Sequence, residues 1–183
     1  SQTVETDKEN VVLRSSLLVM PELELETIQQ DQQLLSLTYE TKSANQAVQL
    51  TYDSSQCSVA GLENELVSID YGDGTSGTSL SHTYADAGIY EVQMHFSNPV
   101  TEIGEDAFNS CAELVGVQFP ESLTKIGRRA FEYSGLRGDL IIPENNVQIG
   151  HNAFGGTGEY EKVIVPFGTD FSYSLYGSLA QFY

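Results

Sequence analysis

The sequence predicts a mainly β protein in which a small antiparallel sandwich is followed by a stack of short repeats. In residues 34–98, apolar runs alternate with Ser, Asn, Gly and Asp clusters at the spacing of a β-sandwich. In residues 99–183, three copies of one pattern follow each other at a step of 23 residues. Repeats of this length bury their apolar faces only against neighbouring repeats, which predicts a solenoid.

The chain divides into three predicted segments. Residues 1–10 are polar, have no apolar periodicity and are expected to form a flexible leader. Residues 11–98 are assigned to the sandwich, including an alternation of Glu and Leu at 22–26 that is typical of a strand with one exposed face. Residues 99–183 are assigned to the repeats and a C-terminal cap. The chain begins at Ser1 rather than Met, which a processed or trimmed N-terminus would explain, and a removed export signal is one such cause.

The charge of the chain excludes some classes of partner. Asp and Glu number 26 against 8 Lys and Arg, a net charge of −18. Such a surface repels phosphate backbones and anionic lipids, so no nucleic-acid partner and no electrostatic membrane docking are expected. No segment approaches the roughly 20 apolar residues of a membrane span.

Strands are predicted at 34–39, 47–52, 66–71 and 89–96. The third strand leads into Tyr71-Gly72-Asp73-Gly74-Thr75, and the stretch 82–92 reads His-Thr-Tyr-Ala-Asp-Ala-Gly-Ile-Tyr-Glu-Val. These motifs resemble the polycystic-kidney-disease (PKD) domain, whose signature is WDFGDGT followed by HxYxxxGxYxV. The resemblance covers residues 34–98 and implies an immunoglobulin-like sandwich, although Ile69 and Tyr71 replace the family's tryptophan and phenylalanine.

The turn in this motif contains the polar cluster that we considered as a metal or catalytic site. Asp70, Asp73, His82 and Asp86 carry three carboxylates and an imidazole. The three aspartates are weak calcium candidates, but the spacing of an EF-hand is missing and aspartate is common in turns. We favour a structural role for the turn and assign no metal, no cofactor and no catalytic residue. Tyr90 stands where a tyrosine corner would hold the sandwich.

The repeat is defined by Ile-Gly-x-x-Ala-Phe, which starts at residues 103, 126 and 149. A strand in each copy ends at Pro120, Pro143 or Pro166, since proline cannot donate to a sheet. The glycines are expected at tight corners, and Phe108, Phe131 and Phe154 are expected to stack as a spine. Strand alternation predicts that six side chains point inward: Val117, Phe119, Leu140, Ile142, Val163 and Val165. Cys111 is expected to be a small buried residue of the first copy rather than the partner of Cys57.

This pattern resembles the BspA-type leucine-rich repeat, written LxxVxIPxxVxxIGxxAFxxC. Residues 114–131 follow it almost position for position. The resemblance implies an exported bacterial protein, often anchored to the outer membrane, with adhesion as its usual role. A lipid anchor would lie outside the given sequence. After Pro166 the pattern breaks, and the aromatic residues of 167–183 predict a cap, with a binding surface as the alternative.

The side chains between the inward positions are the best candidates for contact with a partner. They form two outward columns, Gly116, Asp139 and Lys162 beside Gln118, Ile141 and Ile164. Stacked exposed isoleucines on so acidic a protein suggest a recognition surface, and scattered surface apolarity is the plain alternative. The candidate partner-binding residues are therefore Gln118, Asp139, Ile141, Lys162 and Ile164.

The functional hypothesis is a non-catalytic cell-surface or extracellular adhesion protein that recognises a host or bacterial protein or glycan. The alternative is an accessory carbohydrate-binding module of a polysaccharide-utilisation system. Exposure on one face of Tyr133, Tyr160, Tyr173 and Tyr176 would favour glycan binding. No nucleophile elbow, metal spacing or phosphate loop supports an enzyme.

Overall fold

The computed structural model describes residues 32–52 and 65–167, together with residues 169 and 174. These residues belong to one compact unit, Gln32–Tyr183. The predicted leader, the Glu/Leu strand, Cys57 and most of the predicted cap lie outside the described residues. The described part is mainly β, as predicted, and contains no helix long and apolar enough to cross a membrane. Its strands are β1 (Leu34–Thr41), β2 (Gln46–Gln49), β3 (Leu66–Asp70), β4 (Ser76–Gly77), β5 (Ser81–Tyr84), β6 (Gly88–Phe96), β7 (Glu102–Ile103), β8 (Leu114–Gln118), β9 (Lys125–Ile126), β10 (Gly138–Ile141), β11 (Gln148–Ile149) and β12 (Tyr160–Ile164).

The N-terminal part contains two antiparallel sheets. The larger has the order β4-β3-β6-β1-β8, and the smaller pairs β2 with β5. Strand β1 buries every second residue, because Leu35, Leu37 and Tyr39 point into the core between polar neighbours. The Tyr39 hydroxyl donates a hydrogen bond to the Leu50 carbonyl, which ties β1 to the segment that follows β2.

The predicted strands agree with β1, β3 and β6 to within two residues at each end. Strand β2 ends at Gln49, three residues before the predicted end at Tyr52, and the Leu50 N–H then donates to Leu80 (2.8 Å). Strands β4 and β5 were not predicted. They are too short and too rich in serine and threonine to produce an apolar alternation.

The repeats stack in parallel at the predicted step. Strands β7, β9 and β11 form a sheet that places Ile103, Ile126 and Ile149 beside one another. The phenylalanines of the repeats stack as expected: the Phe131 ring is 5.2 Å from Phe108 and 5.3 Å from Phe154, centroid to centroid, and nearly parallel to both. All three rings are fully buried. The spine lies in one continuous buried core with Ile103, Ile126, Leu140 and Ile142.

The repeats require glycine for a reason other than the predicted tight corner. Gly127 and Gly150 do not have a positive φ, so a tight corner is not the requirement. A Cβ at Gly127 would lie 2.5 Å from the Glu105 nitrogen, and one at Gly150 would lie 2.5 Å from the Arg128 nitrogen. Each glycine is therefore needed because the preceding repeat lies directly against it. Positive φ angles occur instead at Asp106, Arg129 and Asn152, and again at Ser110, Tyr133 and Gly156.

The first repeat is joined to the sandwich by a strand. Strand β8 leaves the parallel stack and pairs antiparallel with β1, with Leu37 opposite Val117. Two further hydrogen bonds reinforce this junction, from Tyr52 N–H to Ala107 (2.9 Å) and from Glu40 N–H to Glu113 (2.8 Å). The sandwich and the first repeat are thus joined by a shared sheet. Cys111 is buried at this junction, as expected, with its sulfur 3.9 Å from the Leu50 carbonyl.

The far end of the stack is continued by Ser174. Its carbonyl accepts the Phe154 N–H (2.8 Å), a position held in the earlier copies by Ala130 and Ala153. The Ser174 side chain is buried and donates to the Gly150 carbonyl (3.3 Å). The Thr169 N–H donates to the Pro166 carbonyl (3.2 Å), and the cap predicted for 167–183 stays a prediction.

Candidate functional site

A surface groove of about 770 Å³ lies over the junction of β8 and β10. It exists because β8 pairs with β1, whereas β10 pairs in parallel with β12. Strands β8 and β10 form no ladder of their own, although the Arg137 N–H donates to the Val115 carbonyl (3.2 Å) where they begin. The groove is therefore a consequence of the change from a parallel stack to an antiparallel sheet.

The apolar part of the groove is formed by residues from both halves of the described chain. Ile141 comes from β10 and is 50% exposed, and Ile89 comes from β6 and is 65% exposed. Gly116 also lines the groove. It has no side chain to fill the space, and a Cβ there would lie 3.0 Å from the Thr38 hydroxyl. Exposed isoleucines in a groove that also contains a glycine can contact an apolar side chain of a partner.

The charged part of the groove is acidic. Among the described lining residues, Arg137 is the basic side chain, and its guanidinium is already 2.9 Å from a carboxylate oxygen of Glu40. The hydrogen bond from Arg137 and its positive charge lower the pKa of Glu40. In the described part of the chain no hydrogen bond or ion pair engages four further carboxylates of the lining, those of Glu121, Asp139, Glu159 and Glu161.

The structure brings three of the five predicted partner-binding residues into this groove. Gln118, Asp139 and Ile141 line it, and all three are exposed. Lys162 and Ile164 lie on β12, in register with Asp139 and Ile141, and are exposed but outside the lining. The prediction that both columns face outward is therefore met, while binding by these residues stays a prediction.

Sequence reasoning missed the contributions of Thr38, Ile89, Glu159 and Glu161. Thr38 and Ile89 come from the sandwich and reach the groove only because β1 pairs with β8. No periodicity within the repeats could indicate that pairing. Glu159 and Glu161 flank the first residue of β12, and the repeat step itself could have placed them beside the outward columns.

The GDG turn is organised by hydrogen bonds within the sandwich. Asp73 accepts the N–H (3.0 Å) and the hydroxyl (2.6 Å) of Thr75 with one carboxylate oxygen, and its other oxygen is 2.7 Å from Nε2 of His82. Partial burial opposes ionisation, but the hydrogen bonds from Thr75 and His82 prevail and lower the pKa of Asp73 to about 2. His82 stacks on Tyr71 at 3.9 Å, so the ring is held in place from a second side. These contacts fix the conformation of the turn.

The calcium candidates do not form a site in the described residues. Asp70 accepts the Gly72 N–H (2.9 Å), and Asp73 has both oxygens engaged. The backbone carbonyl of Asp86 accepts the Tyr90 hydroxyl (2.9 Å), which is the predicted tyrosine corner. Across residues 32–52 and 65–167, no group of three or more His, Cys, Asp or Glu side chains is placed to hold a metal ion.

Comparison with known proteins identifies the two parts of the chain. The family described as BspA type leucine rich repeat region matches residues 83–176 in six copies, which spans half of the chain. The PKD domain family matches residues 35–108. The two matches overlap at 83–108, where the end of the sandwich and the first repeat meet. No curated protein and no solved structure matches the chain significantly.

Proposed function

The chain belongs to the BspA-type leucine-rich repeat family and carries a PKD domain, and from this premise we propose that it is a non-catalytic binding protein of a bacterial surface. Both families are typical of extracellular or surface proteins and are usually not catalytic. A surface adhesion or binding role is consistent with them. Export, attachment to the outer membrane through a lipid anchor, and a host or bacterial surface partner are the finer parts of the proposal.

We propose that the repeats form a short solenoid and that the boundary between the two parts lies near residue 99. The parallel pairing of β7, β9 and β11 supports this reading. The shared sheet of β1 and β8 would then fix the orientation of the repeats on the sandwich. A binding protein benefits from such a rigid connection, since a preorganised surface loses less entropy on binding.

The observation that carries the proposed function is the groove over β8 and β10. Its lining combines exposed Ile89 and Ile141 with four carboxylates that have no hydrogen bond or ion pair in the described part of the chain. These are the carboxylates of Glu121, Asp139, Glu159 and Glu161. Exposed apolar side chains grouped in a groove with charged ones are typical of a recognition surface. Recognition of a protein is better supported than recognition of a glycan. Of the four tyrosines named as a test, Tyr133 is 63% exposed, Tyr160 is buried, and Tyr173 and Tyr176 lie outside the described residues.

The proposal is tested by incubating the purified protein with arrays of host matrix proteins, bacterial surface proteins and glycans. A variant with Ile141→Asp and Ile164→Asp places two charges on the outward column, and it should lose at least tenfold in affinity for the ligand that the arrays identify. Val67→Asp with Phe167→Asp is the matched control, because it also adds two charges at exposed apolar positions and neither residue lines the groove. Equal binding by the double variant and the parent would remove this surface as the recognition site.

A further inference from the structure

The lining of the groove specifies the chemistry of its partner. We propose that the groove takes a short protein segment in which lysine or arginine side chains flank an apolar side chain. This inference rests on the proposed function and names the partner class of the same site. It follows from the number of unpaired charges, their sign and the position of the isoleucines.

The carboxylates select for positive charge. Glu121, Asp139, Glu159 and Glu161 line the groove, and Arg137 cannot neutralise them because it is paired with Glu40. The chain carries a net charge of −18, so its surroundings add to the negative potential of the groove. An anionic glycan or an acidic peptide would be repelled, whereas a cationic segment is attracted and oriented.

The isoleucines select for an apolar side chain between the charges. Ile141 and Ile89 both line the groove with exposed side chains, and the partly buried Phe119 lines it as well. A purely polar cation would leave these surfaces in water. Covering them adds an apolar contribution to the affinity that salt does not screen.

The size of the groove limits the occupant to a short segment. A volume of about 770 Å³ is in the range that holds a few side chains, and it is too small for a folded domain to enter. The expected partner is therefore a loop, a terminus or an extended stretch of a larger protein.

The test uses the full chain and three synthetic peptides of equal length, built from alternating lysine and leucine, lysine and serine, or glutamate and leucine. Fluorescence anisotropy measures the affinity of each peptide at low and high salt. The lysine–leucine peptide should bind most tightly, the lysine–serine peptide should lose most of its binding at high salt, and the glutamate–leucine peptide should not bind.

Because the whole protein is acidic, the variants must separate the groove from general charge attraction. D139N with E161Q should weaken the affinity for the lysine–leucine peptide about tenfold, because the double variant removes two charge contacts whose contributions to the binding free energy add. The matched control E65Q with E144Q removes the same charge outside the groove and should change the affinity less than twofold. I141S should weaken binding at high salt, and V67S should not. These residues are exposed or half-buried, so circular dichroism should confirm that all variants remain folded.

Equal effects of the groove and control pairs, or equal affinity for the glutamate and lysine peptides, would overturn this inference. The proposed function fails separately, if the arrays identify no ligand for the parent protein. An array ligand that binds through Ile141 but is insensitive to D139N with E161Q would preserve the proposed function and refute the cationic partner.

Discussion

At the scale of single residues, the described chain uses charged side chains mainly to fix turns. Asp73 holds the GDG turn through Thr75 and His82, and Arg129 is 2.7 Å from the Asp106 carboxylate between neighbouring repeats. The same kind of residue is left without such contacts in the groove, at Asp139 and Glu161. This difference separates structural carboxylates from candidates for recognition, although both kinds look alike in the sequence.

Replacing Asp73 with Asn should reveal its contribution through pH. The folded-state pKa of Asp73 is lowered to about 2, below the value of about 3.9 in an unfolded chain. Its stabilising effect is therefore complete above about pH 4 and is lost as the pH falls toward 2. D73N should lower the free energy of unfolding by about 1 kcal/mol at neutral pH, a value reduced by the partial exposure of the pair. The difference in unfolding free energy between D73N and the parent should shrink in denaturant titrations at progressively lower pH.

Nε2 of His82 lies 2.7 Å from the Asp73 carboxylate, so the same titration should be repeated in an H82Q background to separate the contribution of this contact. The deficit of D73N should persist there in part, because the hydrogen bonds from Thr75 remain. A deficit that stays constant from neutral pH to pH 2 would contradict the assignment of a lowered pKa to Asp73.

Residue-scale prediction from the sequence succeeded where a single strand or repeat determines the environment. The stacked phenylalanines follow from periodicity, and of the predicted inward residues Leu140 and Ile142 are buried. The other four, Val117, Phe119, Val163 and Val165, pack against the core but are only partly buried. The reason for Gly127 was not predictable in the same way. Its requirement comes from the Glu105 backbone of the preceding repeat, which a local pattern cannot place at 2.5 Å.

At the scale of elements, the aromatic spine holds the repeats together. Phe131 is enclosed by Phe108 below and Phe154 above, and Phe119 contacts its edge at a centroid distance of 5.8 Å. Its N–H also donates to the Ala153 carbonyl (2.7 Å). Stacked backbones linked by such hydrogen bonds cannot easily close around a void.

Truncating the centre of the spine should therefore be costly. Phe131→Ala should lower the free energy of unfolding by about 3 to 5 kcal/mol, because the lost contacts are not replaced by collapse of the neighbours. Equilibrium unfolding in urea measures the change. Phe167→Ala is the control, since Phe167 is fully exposed, and it should shift the unfolding free energy by less than about 0.5 kcal/mol. A loss below about 1 kcal/mol for Phe131→Ala would refute the spine as a source of stability.

At the scale of the whole described unit, strand β8 converts two predicted parts into one structure. Its antiparallel pairing with β1 lets the buried core run from Leu37 through Leu114 to Phe131 without interruption. Sequence patterns predicted the two parts and their order. They could not predict this pairing, because the choice between β1 and β10 as a partner for β8 depends on tertiary packing rather than on the residues of β8. The groove, and with it the contribution of Ile89, depends on that choice.

A continuous core predicts that the sandwich and the repeats unfold together. Native-state hydrogen exchange in low concentrations of urea can follow Leu37 in β1 and Phe131 in the second repeat separately. Both amides should exchange with the same free energy, because opening either part exposes the apolar surface of the other. Phe131→Ala should then lower the free energy of exchange at Leu37 by as much as it lowers the global free energy of unfolding. Loss of protection at the repeats alone, with β1 unchanged, would mean that the shared sheet does not couple the two parts and that the groove can open without unfolding the sandwich.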